Sequence, residues 1–486
     1  MKNPIFFVMA MLSIFLFSGC ATTGHETSPP RGQQANVKTA AMRDITVPPR
    51  PRDTICADFN GDGLNDLVTV SKVPQATVLL NKKNGEFEQL TFETGPHNTS
   101  VAVADVNSDG LPDFALLSEA KFGPIFLNNG QGHFTAFDPN INTPTPLSFF
   151  ISAADLNNDG RPDFVIVSES STDIMVVFNR GNLVFESKTY SVPDDIFKIK
   201  IPLPEGEQTA EDIIKSQIKA VPKEKGLVQG GSPSQITNAG EKKEDTKTQI
   251  KAAPEKKGPV QGGGSPSQIT GTGGGKEDTK TLPQNLASKK IRGLAGIRHM
   301  LLADVTGDGL TDIVFPVSGS IKKVVIAKNT GLEDFTFMPV EIPDAEGTLS
   351  SIALVKTAAD AVPRIAVAQS SPEGKVFILK NNGTGSMTIS GSFETGENML
   401  LRMVSYDMDN DGNDDLLLTF GAPLPDDNKS PVQVWIQGQD GKFRLRDRLH
   451  SNGYAAYINV CEFSEGKKTI VLSNIHEGTL TLIPLE

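Results

Sequence analysis

Apolar and polar positions divide the 486-residue chain into distinct regimes. Ile5 to Phe17 is an apolar run (IFFVMAMLSIFLF), interrupted only by Ser13, behind Lys2. It is too short for a bilayer span and has the length of a signal-peptide core. From Ala21 to about Arg52 no apolar period survives (TTGHETSPPRGQQ, VPPRPR), which predicts a flexible tether over 20–42. Then come short runs of β-branched and aromatic residues, LVTV, FALL, FVIV, IVFPV and LLLTF, with VAVA and FFISAA leading into two of the polar segments between them. Runs of this length, bounded by Asp, Asn and Gly, predict strands and an all-β chain. The pattern lapses over 205–289. There IKAVPKEKGLVQGGSPSQITNAGEKKEDTKT, from Ile218, is followed by the near-copy IKAAPEKKGPVQGGGSPSQITGTGGGKEDTKT, from Ile250. Gly, Ser, Pro, Lys and Glu bury too little apolar surface to offset chain entropy, so a disordered low-complexity insert is expected.

The polar segments between strands repeat. DFNGDGLND (58–66), DVNSDGLPD (105–113), DLNNDGRPD (155–163), DVTGDGLTD (304–312) and DMDNDGNDD (407–415) align without gaps. Position 1 is Asp58, Asp105, Asp155, Asp304 and Asp407; position 3 is Asn60, Asn107, Asn157, Thr306 and Asp409. Position 5 is Asp62, Asp109, Asp159, Asp308 and Asp411, and position 9 is Asp66, Asp113, Asp163, Asp312 and Asp415. Calcium takes six to eight oxygens. Those side chains, a backbone carbonyl at position 7 (Leu64, Leu111, Arg161, Leu310, Asn413) and water would supply them. Glycine at position 6 permits the sharp turn. An EF-hand would place Glu at position 12, where this chain has Thr69, Leu116, Ile166, Phe315 and Leu418 inside the strand runs. The unit is therefore strand, loop, strand. Up to five structural Ca²⁺ sites are expected.

These loops, with the following strand, Asn/Gly turn and aromatic (LLNKKNGEF, FLNNGQGHF, VFNRGNLVF, IAKNTGLEDF), resemble the FG-GAP or VCBS repeat, related to the calcium-binding blades of integrin α-chain propellers. The resemblance implies that each unit is a four-stranded antiparallel blade. Motif starts lie 47, 50, 149 and 103 residues apart. The last interval holds a further unit, LVKTAADAVPRIAVA (354–368), without the acids, and VCEFSEGKKTIVLSN (460–474) is another. Seven blades are expected: one to three within 43–204, four to seven within 290–486, and the insert between blades three and four. Blade seven ends one strand short, which predicts that RDITV (43–47) completes it. Cys56 and Cys461 then fall on or near the inner strands of neighbouring blades one and seven, either bonded or as two buried thiols.

FSGC, after the apolar run, resembles a bacterial lipoprotein signal spanning 1–19, which implies lipidation of Cys20. Ala21 in place of Asp implies sorting to the outer membrane. The net charge of -12 argues against nucleic acid, whose phosphates need clustered Lys and Arg. Of the aromatics, 26 are Phe against four Tyr and one Trp, which favours core filling over sugar stacking. Trp435, Tyr190, Tyr406, Tyr454 and Tyr457 remain the candidates for contact with sugar. The six histidines, His25, His97, His133, His299, His450 and His476, are scattered singly, and no HExxH, GxSxG or paired-cysteine motif occurs. The expectation is a monomeric, non-catalytic, membrane-anchored binding or scaffold protein that engages a protein on a propeller face. A glycan-binding protein of the cell surface is the alternative, and a polysaccharide-active enzyme a third.

Overall fold

The computed structural model describes residues 42–83, 85–144, 148–197, 295–319, 321–360, 362–421 and 429–485. The signal segment, Cys20, nearly all of the tether and the insert at 205–289 lie outside them. The described chain forms seven antiparallel sheets, each following the same path from an inner strand outward. Blade one runs Pro51–Ala57, Asp66–Ser71, Gln75–Asn81, Phe87–Glu93. Blade three opens with Ser148–Ala154, blade four with Leu301–Ala303, blade five with Leu349–Val355 and blade six with Leu400–Tyr406. Each inner strand lies beside those of the neighbouring blades, and that of blade seven, Ala455–Ser464, lies beside that of blade one. The result is a closed seven-bladed β-propeller.

Sequence explains the layering. Second strands such as Asp66–Ser71 and Asp163–Ser168 are buried at every position, because they are apolar on both faces and sit between two neighbouring blades. Outer strands such as Phe87–Glu93 (FEQLTFE) alternate, packing one face and wetting the other. Seven buried clusters fill the seams between successive blades.

Blade two departs from the pattern. Its outer edge is broken into Phe134–Phe137 and Ile141–Asn142, both paired with Lys121–Asn128. That strand contains Gly123 and Pro124. Proline lacks the N–H a ladder needs, and a Cβ on Gly123 (φ 100°) would stand 2.7 Å from the Pro139 ring.

Arg43–Thr46 pairs antiparallel with the last strand, Arg43 opposite Leu482 and Thr46 opposite Thr479, as the fourth strand of blade seven. Beside this closure Cys56 and Cys461 are bonded, with Cα atoms 6.0 Å apart. Of the two alternatives left open by the sequence, the disulfide is the one the fold adopts.

Candidate metal centres

The five acidic loops join the first strand to the second in blades one, two, three, four and six, and so lie on one face of the ring. Each is held by its own acids. Position 9 begins the second strand and is fully buried in all five cases. Asp66 Oδ2 accepts the N–H of Phe59 at 2.8 Å and Oδ1 that of Asn81 at 2.7 Å. The same two contacts recur at Asp113, Asp163, Asp312 and Asp415. Position 1 folds the loop over itself: Asp58 accepts from the N–H groups of Asp62 (3.1 Å) and Gly63 (2.8 Å). Position 5 caps position 7, as in Leu64 N–H to Asp62 Oδ1 at 3.0 Å. The tight path requires left-handed backbone at position 6, where the five glycines have φ of 80–86°.

This network shapes the loops without exhausting their oxygens, since a carboxylate oxygen carries two lone pairs. The five position-7 carbonyls accept no hydrogen bond among the described residues. In the fifth loop, carboxylate oxygens of Asp407, Asp409 and Asp415 lie within 4.8 Å of one another. Asp409 supplies a fourth carboxylate to that loop, where the other loops, with three at positions 1, 5 and 9, have Asn or Thr at position 3. Burial pushes Asp66, Asp113, Asp163 and Asp415 up to about 6, and neighbouring loop acids push the same way against their backbone hydrogen bonds. Crowded acids that resist ionisation suit a hard divalent cation, and the donor set fits Ca²⁺.

The loops differ in their competing cations. Lys83 lies 3.6 Å from Asp62, Arg161 pairs with Asp159, and Lys328 lies 3.1 Å from Asp308. In the fifth loop Lys468 contacts the Asp407 carbonyl and Asn410 Oδ1 instead, leaving the gathered carboxylates unpaired.

Blade five carries its own cation. At position 9 its second strand starts with Arg364, whose Nε donates to Asp360, at position 5, at 2.7 Å. Lys356 stands where the other loops have their first Asp. Two basic side chains thus replace two acids, and the turn needs no metal. In blade seven, Ser464 and Lys467 are directly paired, and the hairpin leaves no room for an acidic loop.

The Asn that ends the third strand has a role the sequence did not reveal. Its N–H donates to the position-9 acid of its own blade, while its Nδ2 reaches the position-2 carbonyl of the preceding blade. Asn81 meets Phe463 at 2.7 Å, Asn128 meets Phe59 at 2.9 Å, Asn179 meets Val106 at 2.8 Å and Asn329 meets Leu156 at 2.6 Å. The recurring Asn before each Asn/Gly turn was the available signal, but it resembled ordinary turn chemistry. Asn179→Ala leaves the buried Val106 carbonyl unpaired and is expected to lower stability by about 1–3 kcal/mol in urea titration. An unchanged midpoint would show that these amides hold nothing between blades.

The sugar-contact candidates are mostly inside. Trp435 is 4% exposed, packs 4.2 Å from the Phe393 ring and donates from Nε1 to Gln433. Tyr190 and Tyr457 are buried, Tyr406 donates to Glu462, and Tyr454 packs on His476.

The sequence model of the FG-GAP-like repeat matches residues 58–116 and 109–166, so the chain carries FG-GAP-like repeats. No curated protein sequence matches it. Among solved structures, similar chains occur in two crystal structures of BBS1N in complex with ARL6DN. For the mercury soak the identity is 10%, coverage 94% of this chain and 98% of that one, and the TM-score 0.49. The lead soak gives 11%, 92%, 96% and 0.48. Sqt1 of Saccharomyces cerevisiae gives 10%, 88%, 83% and 0.44.

Proposed function

We propose that this propeller of FG-GAP-like repeats is a non-catalytic scaffold of the cell envelope, stabilised by calcium, exported and anchored through a lipidated Cys20, that docks a protein on its loop face. The observation that carries the docking reading is on adjacent turns of that face. Leu332 is 84% and Val184 57% exposed, on the third-to-fourth-strand turns of blades four and three. Arg180, beside Val184, pairs with Glu333, beside Leu332, so the two turns are fixed to each other. Apolar side chains on rigid, mutually braced turns favour a protein partner over a sugar. The burial of Trp435, Tyr190 and Tyr457 weighs in the same direction.

The test is crosslinked capture from envelope fractions with the wild-type chain and a Val184→Glu/Leu332→Glu variant, alongside a glycan array. The expected result is a protein captured only by the wild type, with no array hits. Array binding without any variant-sensitive protein would replace the scaffold reading with the glycan one. Cys20→Ser is expected to move the protein from the membrane to the soluble fraction; unchanged membrane association would exclude the lipid anchor.

A further inference from the structure

A cavity of about 240 Å³ lies among the inner strands of the ring. Asp53, Phe150, His299, Arg402 and Tyr457 line it. These five occupy the same place in their blades, five residues before position 1 of the loop or its counterpart. Repeat register, not sequence proximity, brings them to one level. The rest of the wall holds the partly exposed aliphatic residues Ile55, Val103 and Val404 together with the polar Ser152 and Asn459, while Val101 and Met403 are buried in the seams between blades.

Arg402 is 7% exposed. Its Nη1 donates to the Arg298 carbonyl at 3.0 Å, and its guanidinium carbon lies 5.2 Å from the Tyr457 ring centroid and 5.4 Å from that of Phe150. Its Nη2 is buried without a partner. Asp53, the acid sharing the cavity, makes no ion pair with it. The Asp53 oxygens accept instead from Ser100 Oγ at 2.5 Å, Val101 N–H at 3.5 Å and Thr54 N–H at 3.1 Å. Burial foremost pushes the Asp53 carboxyl up, while the Ser100 hydrogen bond and the Arg402 charge pull it back down. A buried guanidinium whose Nη2 has no hydrogen-bond acceptor is unfavourable unless an acceptor meets it.

A second donor faces the same cavity. His299 Nδ1 accepts from Ile352 N–H at 3.2 Å and lies 2.9 Å from Ser351 Oγ, which places the ring proton on Nε2. Nε2 makes no hydrogen bond among the described residues. Burial first, and then the Arg402 charge, hold His299 well below the usual imidazole range and keep it neutral.

We propose that this axial cavity binds a short-chain aliphatic monocarboxylate, with its carboxylate on Arg402 Nη2 and His299 Nε2 and its alkyl chain against Ile55, Val103 and Val404. One cationic group and one neutral donor balance a monoanion. A phosphate dianion would bury a second charge uncompensated. A cavity of about 240 Å³ has room for an acid of the size of butyrate.

The experiment is isothermal titration of the full chain in calcium with butyrate, inorganic phosphate and n-butanol, repeated on Arg402→Gln. Butyrate is expected to bind one per chain, phosphate and butanol not at all, and Arg402→Gln to weaken butyrate about tenfold or more, the loss of one charge-assisted hydrogen bond. Absence of saturable butyrate binding overturns the proposal, as does undiminished binding by folded Arg402→Gln. Phosphate binding as tightly as butyrate overturns the monocarboxylate assignment. Where Arg402→Gln does not fold, His299→Phe keeps a ring beside Phe150 and removes the donor, and about threefold weakening is expected; unchanged affinity then overturns the proposal.

Discussion

Breaking the Cys56–Cys461 bond is expected to lower the unfolding free energy by about 2–5 kcal/mol, among the largest effects of any single change in this chain. The bond joins residues 405 apart and so closes nearly the whole described ring covalently. A cross-link over so long a loop removes much freedom from the unfolded chain. The seam it spans also needs the help. Beside Cys461 its buried side chains are Val47, Leu67, Leu79, Val471, Leu480 and Leu482, the fewest of any seam. With the bond reduced, closure rests on that small cluster and on Arg43–Thr46. That strand is held by its ladder to Thr479–Leu482 and by Thr481 Oγ1 on Asp44 at 2.6 Å. Denaturant titration with and without reductant measures the effect, and Cys56→Ala/Cys461→Ala separates loss of the bond from the chemistry of free thiols. Hydrogen exchange should quicken first in residues 43–46 and 479–484. Coincident midpoints in the two conditions would mean that packing alone closes the ring.

Calcium is expected to stabilise the chain by about 7 kcal/mol if five sites are each saturated tenfold over their dissociation constants, at about 1.4 kcal/mol per site. That corresponds to a rise in unfolding temperature on the order of 10 °C. The effect should depend on pH in a definite direction. Asp66, Asp113, Asp163 and Asp415 have folded values of about 6, above the unfolded carboxylate value. Without metal the folded state holds protons that the unfolded state releases, so these four groups favour folding at acid pH, and that contribution is lost as pH rises through about 6. A cation binds the deprotonated form, so the calcium increment should grow over the same range. Scanning calorimetry in EDTA and in excess calcium, at pH 5 and pH 7, tests both parts. The gap between the two melting temperatures should be wider at pH 7. A gap of zero removes calcium as the fastener of these turns, and a gap that is equal at the two values removes the four raised carboxyls as the source of its pH dependence. Asp409→Asn should diminish the gap, because the fifth loop is where Asp407, Asp409 and Asp415 gather their oxygens.

Much of the architecture was legible from residue order, because it rests on local chemistry repeated seven times. Asp at positions 1 and 9 with Gly at 6 forces the same turn wherever it occurs, and apolar runs such as FALL and FVIV can only be buried as strands between neighbours. Spacing therefore counted the blades, including the two without acids, and the missing outer strand of blade seven pointed to Arg43–Val47. What the sequence could not supply is anything set by the contact of one blade with the next. The Asn179 amide looks like turn chemistry until the Val106 carbonyl of the preceding blade stands beside it. Arg364 looks like a lost acid until it bonds Asp360. Cys56 and Cys461 lie 405 residues apart, and ring closure brings their Cα atoms to 6.0 Å. Arg402 and Asp53 in their strands, and His299 just before Leu301–Ala303, are unremarkable surface-type residues in the sequence. Curling the blades into a ring carries them to one cavity, because a side chain's neighbours across a sheet or an axis are fixed by register and closure, which no local pattern encodes.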